Sequence, residues 1–247
     1  MAKKVVDVSQ HNGAINWPLV AKNVDAAIIR AGYRGYGAAG TLVTDSQFKA
    51  NITGALSAGL PVGAYWCSQA LSEAEARAEA DYLAKLLKGY TITYPVYLDS
   101  EWMEPNAQGR ADRISKARRT QYAMTFLRAV RDYGYKPGLY TGEFWFTDQL
   151  DGPAMAKDGV EIWLAKWGSV KPRHDHDAWQ YTETAIVPGI AGKADLSHFY
   201  VDYAASGEIA EYREAVQKRF GFESHTMDYL QAYKYGKDLL YKLATRG

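Results

Sequence analysis

The sequence is poor in the residues that build disulfides, cysteine-rich metal sites and membrane spans. Among its 247 residues there is a single cysteine, Cys67, which excludes an internal disulfide and a zinc site made of several cysteines. No apolar run approaches the roughly 20 residues that a membrane-spanning helix requires. Basic and acidic residues nearly cancel, at 29 against 28, so no overall field holds the chain on nucleic acid. We therefore expect neither membrane insertion nor a nucleic-acid partner.

The N-terminus also lacks the pattern of a secretory signal. Such a signal needs about 7–15 apolar residues after a basic start. Here Lys3 and Lys4 are followed by only two valines before Asp7 interrupts the apolar run. We expect no signal peptide in this chain, so that any export takes another route.

What the sequence does have is an alternation of β-rich runs with helical patterns, which indicates a largely parallel sheet. Asp45 is assigned as the N-cap of one helix, and Ser72 opens another with a capping box. Only the first five predicted strands are followed by clear helical patterns. The segments between the later strands are short and are expected to be loops. The pattern predicts an α/β fold, an irregular TIM-like barrel with five β/α units followed by three strands. The predicted strands are residues 4–8, 26–31, 62–67, 96–99, 139–141, 162–167, 179–181 and 195–199.

The strands stop before the C-terminus, and a helical appendage follows. Helical periodicity covers residues 208–220 and 226–244, with a break near Gly221. We predict two domains, a catalytic barrel over residues 1–205 and an appendage over residues 206–247. An appendage of about 40 residues is too small to fold reliably alone. It is expected to pack on the barrel, on a second copy of the chain as a homodimer, or on a wall ligand.

Four acidic residues fall where strands begin or end. Asp7 ends the first strand, Asp99 and Glu101 end the fourth, and Asp195 opens the last. The active sites of parallel barrels lie at the C-terminal strand ends, so all four are expected at one mouth. Residues two apart on a strand, such as Asp99 and Glu101, point to the same face of the sheet. When two carboxyl groups lie close together, the charge of one raises the pKa of the other and keeps it protonated. A protonated carboxyl beside an ionised one is the arrangement that hydrolyses glycosidic bonds. The alternative interpretation of this acidic pair is a strand end held by salt bridges.

An ordered set of motifs runs through residues 4–203. The chain opens with VDVSQHNG at residues 6–13, followed by Ile15 and Trp17. The further motifs are IIRAGY at 28–33, DSQFKAN at 45–51, AGLPVGAYW at 58–66, PVYLDSE at 95–101, IWLA at 162–165, WQY at 179–181 and ADL at 194–196. Each motif alone is weak, but the ordered set is specific, and it resembles the motifs of glycoside hydrolase family 25 lysozymes.

The resemblance implies an N-acetylmuramidase that cuts bacterial peptidoglycan between N-acetylmuramic acid and N-acetylglucosamine, without a cofactor or metal. By motif, Glu101 is the general acid/base and Asp99 orients the substrate's acetamido group. By resemblance to other families in which a strand ends in Asp-x-Glu, the oxygen of that acetamido group is the expected nucleophile, a known exception to the two-carboxylate scheme. Asp7 and Asp195 match the family's other site acids, which hold sugar hydroxyls or tune Glu101. A phage-type endolysin, released through a holin-type pore to act at the wall, fits best; a bacterial autolysin is second.

The chain is rich in aromatics, with 19 tyrosines and 7 tryptophans. Aromatic rings near the strand ends are natural platforms for the apolar face of a sugar. Half-buried strand aromatics are the alternative for each position. The predicted substrate-binding residues are Tyr33, Tyr65, Tyr140, Trp167 and, as a hydrogen-bonding partner, Gln180.

Two other functions remain open for this sequence. The rivals are a chitinase-like glycosidase and a non-catalytic wall-binding module on a degenerate barrel.

The His-Asp-His-Asp run at residues 174–177 suits a solvated loop better than a metal site. The basic stretch at residues 110–119 suits a solvated helix face better than a site for anionic polymers. Cys67 lies in an apolar strand without an evident activating partner and is interpreted as a small core residue.

Overall fold

A computed structural model describes residues 2–103, 108–233 and 236–245. The chain divides into two compact units, Met1–Val201 and Asp202–Gly247. The predicted domain boundary, between residues 205 and 206, falls inside a helix that begins at Tyr203. No helix of the described residues is both long and apolar enough to cross a membrane.

The first unit alternates strands and helices from its start. Its strands are β1 (Lys3–Val8), β2 (Ala26–Arg34), β3 (Leu42–Thr44), β4 (Val62–Cys67), β5 (Val96–Asp99), β6 (Pro137–Gly142), β7 (Glu161–Ala165), β8 (Ala178–Ala185) and β9 (Ala194–Phe199). Its helices are α1 (Trp17–Val20), α2 (Phe48–Ser57), α3 (Glu73–Leu87), α4 (Lys116–Asp132), α5 (Trp145–Asp148) and α6 (Gly152–Lys157).

Within the described residues, eight of these strands close into a barrel. The order is β1-β2-β4-β5-β6-β7-β8-β9, and β9 pairs with β1 to complete the ring. All neighbours are parallel except β9, which runs antiparallel to both β8 and β1. A helix follows each of the first five barrel strands, whereas no helix of the described residues separates β7 from β8 or β8 from β9. The predicted barrel of five β/α units and three strands is therefore confirmed.

The short strand β3 escaped prediction. It pairs antiparallel with the end of β2, so that Tyr33 lies opposite Val43. Because of this pairing, β2 runs to Arg34, beyond the end predicted at residue 31. Three residues carry too little alternation to identify a strand by pattern alone.

The core has two layers, one inside the barrel and one between the strands and the helices. Outward-facing side chains such as Ile29 and Leu98 pack under the apolar faces of α2, α3 and α4. Inside, the ring centroids of Tyr97 and Trp163 lie 5.0 Å apart, and those of Trp163 and Phe199 5.6 Å apart. These rings fill the barrel below the strand ends, so the barrel is a packed core and not a pore.

Gly138 makes room for this aromatic layer. It is paired with Tyr97 across β5 and β6. A Cβ on Gly138 would lie 2.3 Å from carbons of the Tyr97 ring, closer than any van der Waals contact allows. Glycine at this position therefore lets the tyrosine ring lie flat against the neighbouring strand.

One of the two predicted N-caps is confirmed and the other is wrong. The Ser72 hydroxyl accepts the Glu75 N–H at 3.1 Å at the start of α3, as predicted. Helix α2 begins instead at Phe48, after Gln47 and without a side-chain cap. The Asp45 carboxylate accepts the Arg30 Nε–H at 2.6 Å and the Gln10 N–H at 2.9 Å. It ties the barrel interior to the loop after β1, because a buried guanidinium needs a carboxylate more than a helix end does.

The second unit contains three helices in its described part, α7 (Tyr203–Phe220), α8 (Ser224–Ala232) and α9 (Gly236–Thr245). They share a small core of Val216, Met227 and Leu240. The prediction of one helix over residues 226–244 is wrong, since α8 ends at Ala232 and α9 starts at Gly236. Tyr233 has extended backbone angles, and a Cβ on Gly236 would lie 2.4 Å from the Gln231 carbonyl oxygen.

The buried Arg30–Asp45 ion pair yields a stability prediction. Its side chains are 9% and 0% exposed, so Asp45→Ala would leave an unpaired guanidinium out of reach of water. We expect a loss of about 3–5 kcal/mol in the free energy of unfolding, measured by urea denaturation. The matched control is Asp81→Ala, which breaks the exposed Arg77–Asp81 pair and should cost less than about 1 kcal/mol. Equal losses for the two variants would contradict this account.

Candidate active site

A cleft of about 220 Å³ opens at the barrel mouth. It lies where the parallel strands end and where the antiparallel strand β9 begins. Its lining residues are Asp7, Tyr65, Asp99, Glu101, Tyr140, Trp163, Trp167, Gln180, Glu183 and Asp195. All four predicted acids and four of the five predicted substrate-binding residues are therefore brought together here, and Tyr33 is not.

Different structural constraints position the acids. Asp7 and Asp195 are directly paired across β1 and β9. Asp99 is the last residue of β5, whereas Glu101 lies two residues further on, in the bend after the strand. The strand pleat therefore does not align Glu101 with Asp99, as the spacing argument assumed. Both nevertheless line the same cleft, because the chain turns across the barrel mouth after Ser100.

Burial dominates the protonation of Glu101. Removal from water raises its pKa well above the usual range, and the negative charge of Asp99 raises it further. Burial also raises the pKa of Asp99 to about 7, although a hydrogen bond from Cys67 and the charge of Arg30 oppose the shift. The sequence argument named the neighbouring charge as the main cause, and the structure makes it the second cause.

Asp7 and Asp195 form a second carboxyl pair. Burial and the charge of Asp195 raise the pKa of Asp7 well above its ordinary value. Burial also raises the pKa of Asp195 to about 6, while a hydrogen bond from Asp7 lowers it. The two groups therefore titrate as a pair, and their mutual repulsion favours retention of a proton by the pair.

Gln180 links this pair to the aromatic wall of the cleft. Its side-chain Nε2–H donates to Asp7 Oδ2 at 3.1 Å. Its Oε1 accepts the Tyr140 hydroxyl at 2.9 Å and the Trp167 Nε1–H at 3.1 Å. Three of the four hydrogen-bonding positions of the amide are thereby used, so Gln180 holds two aromatic side chains and one carboxyl in place.

The predicted aromatics differ in what they offer a ligand. Tyr140 is buried, while Trp167 is 57% exposed and can take a sugar ring on its indole face. Tyr33 lies in the part of β2 that pairs with β3, where its ring centroid is 5.7 Å from that of Tyr36. The guanidinium of Arg30 lies 5.6 Å from the centre of the Tyr33 ring. Tyr33 is not among the residues that line the cleft.

Two lining residues escaped sequence analysis. Trp163 lies on β7 with its Nε1–H donated to Ser197 Oγ at 3.0 Å, and strict alternation along the predicted strand would have found it. Glu183 follows Gln180 by three residues, so alternation assigns the two to opposite faces. The β8–β9 register shifts between Gln180 and Thr182, and this irregularity brings Glu183 to the cleft.

Cys67 also has a role that the sequence did not suggest. It ends β4, paired directly with Asp99 on β5, and its Sγ–H donates to Asp99 Oδ2 at 3.0 Å. Burial and the charge of Asp99 raise the pKa of this thiol well above its usual range. Cys67 is thus a neutral donor to a cleft carboxyl and not merely a small core residue.

Among the described residues, no group of three or more His, Cys, Asp or Glu side chains is arranged to hold a metal ion. The His-Asp-His-Asp run is engaged locally. His176 Nδ1 lies 2.6 Å from the His174 carbonyl oxygen, and Asp177 accepts the Ile162 N–H at 2.8 Å. These contacts organise the loop between β7 and β8.

A closed β/α barrel with a protonated carboxyl beside a second carboxyl, in a cleft with an exposed indole face, has the parts of a glycoside-cleaving site. The comparison with known families agrees, since residues 6–190 match the glycosyl hydrolases family 25. That match covers most of the chain, and the chain belongs to this family.

Individual relatives support the same placement. The autolytic lysozyme of Clostridium acetobutylicum is 26% identical over 83% of this chain and 58% of its own length. A bacterial lysozyme from Streptomyces coelicolor has a similar structure, with a TM-score of 0.69, 28% identity, and coverage of 83% of this chain and 94% of that one. The autolysin LytC of Streptococcus pneumoniae, solved with a synthetic peptidoglycan ligand, gives a TM-score of 0.70 and 26% identity over 81% of this chain and 47% of its own. The chain thus spans about half the length of two of these relatives.

The raised pKa of Asp99 makes stability depend on pH. Its folded value of about 7 exceeds an unfolded value of about 3.9, so the folded chain binds the proton more tightly. The stabilisation is complete below about pH 4 and is lost as the pH rises towards 7. Asp99→Asn should raise the melting temperature at pH 8 by roughly 2–6 °C and change it little at pH 4.

Scanning calorimetry at the two pH values measures this difference. The control is Asp175→Asn, a change on an exposed loop that should leave both melting temperatures unaltered. A lower melting temperature of Asp99→Asn at pH 8 would show that ionised Asp99 stabilises the fold.

Proposed function

We propose that this chain is an N-acetylmuramidase that hydrolyses the β-1,4 bond between N-acetylmuramic acid and N-acetylglucosamine in bacterial peptidoglycan. The observation that carries the proposal is the placement of Glu101 beside Asp99 in the cleft, where desolvation and the charge of Asp99 raise the pKa of Glu101. Family membership supports the reaction class, and the names of the relatives support the wall substrate. The protein accordingly acts at the bacterial cell wall.

Glu101 serves as the general acid. Its carboxyl gives its proton to the glycosidic oxygen as the bond from that oxygen to C1 breaks. The acetamido oxygen of the same sugar then bonds to C1, which forms a cyclic oxazolinium. A water molecule adds to C1, gives its proton to the Glu101 carboxylate and releases the acetamido group unchanged. Because burial holds the proton on Glu101 near neutral pH, the acid is ready when the substrate arrives.

Asp99 steers the acetamido group through this step. Its Oδ2 is engaged by Cys67, while its buried Oδ1 has no hydrogen-bond partner among the described residues. A buried acceptor without a partner is costly, and the acetamido N–H of the substrate can satisfy it. Accepting that N–H turns the carbonyl oxygen towards C1 and stabilises the positive charge that develops on the ring.

The remaining lining residues bind the sugar. The Asp7–Asp195 pair presents carboxyl oxygens to the hydroxyl groups, at a position that Gln180 holds. Trp167 supplies a platform for the apolar face of a pyranose, beside Tyr65 and Tyr140. Binding and proton transfer thus use separate walls of one cleft.

The test is mass spectrometry of the fragments that the protein releases from purified bacterial wall. Cleavage by the proposed route gives new N-acetylmuramic acid reducing ends. Glu101→Gln is nearly isosteric and cannot act as the acid, so release should fall by at least about 10²–10³-fold while the circular dichroism spectrum is unchanged. Asp99→Asn should also cost orders of magnitude in rate.

The rival functions predict different fragments. New N-acetylglucosamine reducing ends, or equal cleavage of chitin, would replace the proposal with a chitinase-like activity. Binding to wall without any release would replace it with a non-catalytic wall-binding module. Near-full activity of Glu101→Gln would show that another group is the acid.

We also propose that the C-terminal unit pairs with a second copy of the chain. Among its described residues this unit buries only four apolar side chains fully, those of Tyr203, Val216, Met227 and Leu240, and it leaves Tyr229 81% exposed. Light scattering of the full chain should then give twice the monomer mass of 27.5 kDa. Tyr229→Glu should restore the monomer mass, whereas Ile186→Glu on the exposed barrel surface should not. A monomer mass for the unaltered chain would refute the pairing.

A further inference from the structure

Among the described residues, only one of the two carboxyl oxygens of Asp99 has a hydrogen-bond partner. Its carboxyl is buried, with the residue 4% exposed, at the last position of β5. Oδ2 receives the Cys67 Sγ–H at 3.0 Å, and Oδ1 has no hydrogen-bond partner among the described residues. The Cys67 hydrogen bond therefore fixes the rotation of the carboxyl about its χ2 bond, which is otherwise soft.

The backbone sets this contact. Cys67 and Asp99 end neighbouring parallel strands and are direct partners in the β4–β5 register. Their side chains leave the sheet on the same side, so the thiol and the carboxyl meet without any long flexible chain between them. The donor is a compact group on a rigid strand, and this is what an orienting contact requires.

The thiol is suited to this task because it stays neutral. Burial and the nearby Asp99 charge both disfavour the thiolate, so the Sγ–H remains available as a donor. Cys67 is 5% exposed and is not among the residues that line the cleft. Its hydrogen bond to Asp99 is the contact that links it to the cleft.

We propose that Cys67 is a positioning residue whose Sγ–H holds Asp99 Oδ2 and so turns Oδ1 towards the acetamido N–H of the substrate. The proposal rests on the muramidase function and on the role given there to Asp99. It assigns to the one cysteine of the chain a part in the reaction that needs neither a thiolate nor oxidation.

Two substitutions separate the hydrogen bond from the space that the side chain fills. Cys67→Val keeps a similar volume and removes the donor, whereas Cys67→Ser keeps a donor and loses volume. We expect Cys67→Val to lower kcat about tenfold with KM changed less than about twofold, since a bond to a charged group is lost. Cys67→Ser should stay within about threefold of the unaltered enzyme. The proposal is wrong if Cys67→Val retains full kcat, or if Cys67→Ser loses as much kcat as Cys67→Val does.

A double-mutant cycle tests the route through Asp99. In the Asp99→Asn background, Cys67→Val should produce no further loss in kcat beyond about twofold, because the oriented carboxylate is already gone. An additional tenfold loss there would assign the effect to general disruption of the strand and overturn the proposal. Melting temperatures of all variants, measured in parallel, identify any loss that comes from unfolding.

The experiments distinguish a failure of the proposed muramidase function from a failure of the positioning role of Cys67. If the unaltered protein releases no N-acetylmuramic acid reducing ends from wall, the muramidase function itself is wrong, and this role of Cys67 is rejected with it. If the unaltered protein cuts that bond and Cys67→Val cuts it equally fast, only the positioning role is rejected.

Discussion

The cost of burying negative charge governs this molecule. Five carboxyl groups share one cleft, and the closed barrel removes water from most of them. Each buried carboxyl gains from being neutral, so the cluster retains protons at pH values where free carboxyls have lost them. This constraint makes Glu101 an acid near neutral pH and makes the folded state less stable as the pH rises. Catalytic competence and pH-dependent instability therefore have the same physical origin.

Barrel closure is what creates that constraint. The last strand, β9, runs against its two neighbours, so its first residues reach the mouth where the parallel strands end. This direction pairs Asp195 with Asp7 and completes the acidic wall of the cleft. The aromatic layer of Tyr97, Trp163 and Phe199 blocks the barrel beneath the acids. Arg30, which opposes the raised pKa of Asp99, is itself held by Asp45, so the cluster lacks full charge compensation.

Much of this arrangement could be predicted because it depends on local pattern. Alternation and turn residues identified the eight barrel strands, and the helix signals identified the five units. The acids at strand ends followed from those assignments and from the general rule for parallel barrels. The errors occurred where a neighbour changes the local geometry: pairing with β3 extends β2 past its predicted end, and the irregular β8–β9 register brings Glu183 into the cleft. Asp45 was assigned to a helix end because Arg30, fifteen residues earlier, leaves no mark in the local pattern.

The sequence by itself determined the order of strands and helices, the family resemblance and the acids available at the strand ends. These depend on periodicities and motifs that are contained within short stretches of chain. Only the tertiary structure decided that burial, more than charge repulsion, keeps Glu101 protonated, and that Cys67 contacts Asp99 across 32 residues of sequence. Desolvation and strand register are properties of the assembled barrel, because each depends on which distant segments exclude water and which become neighbours.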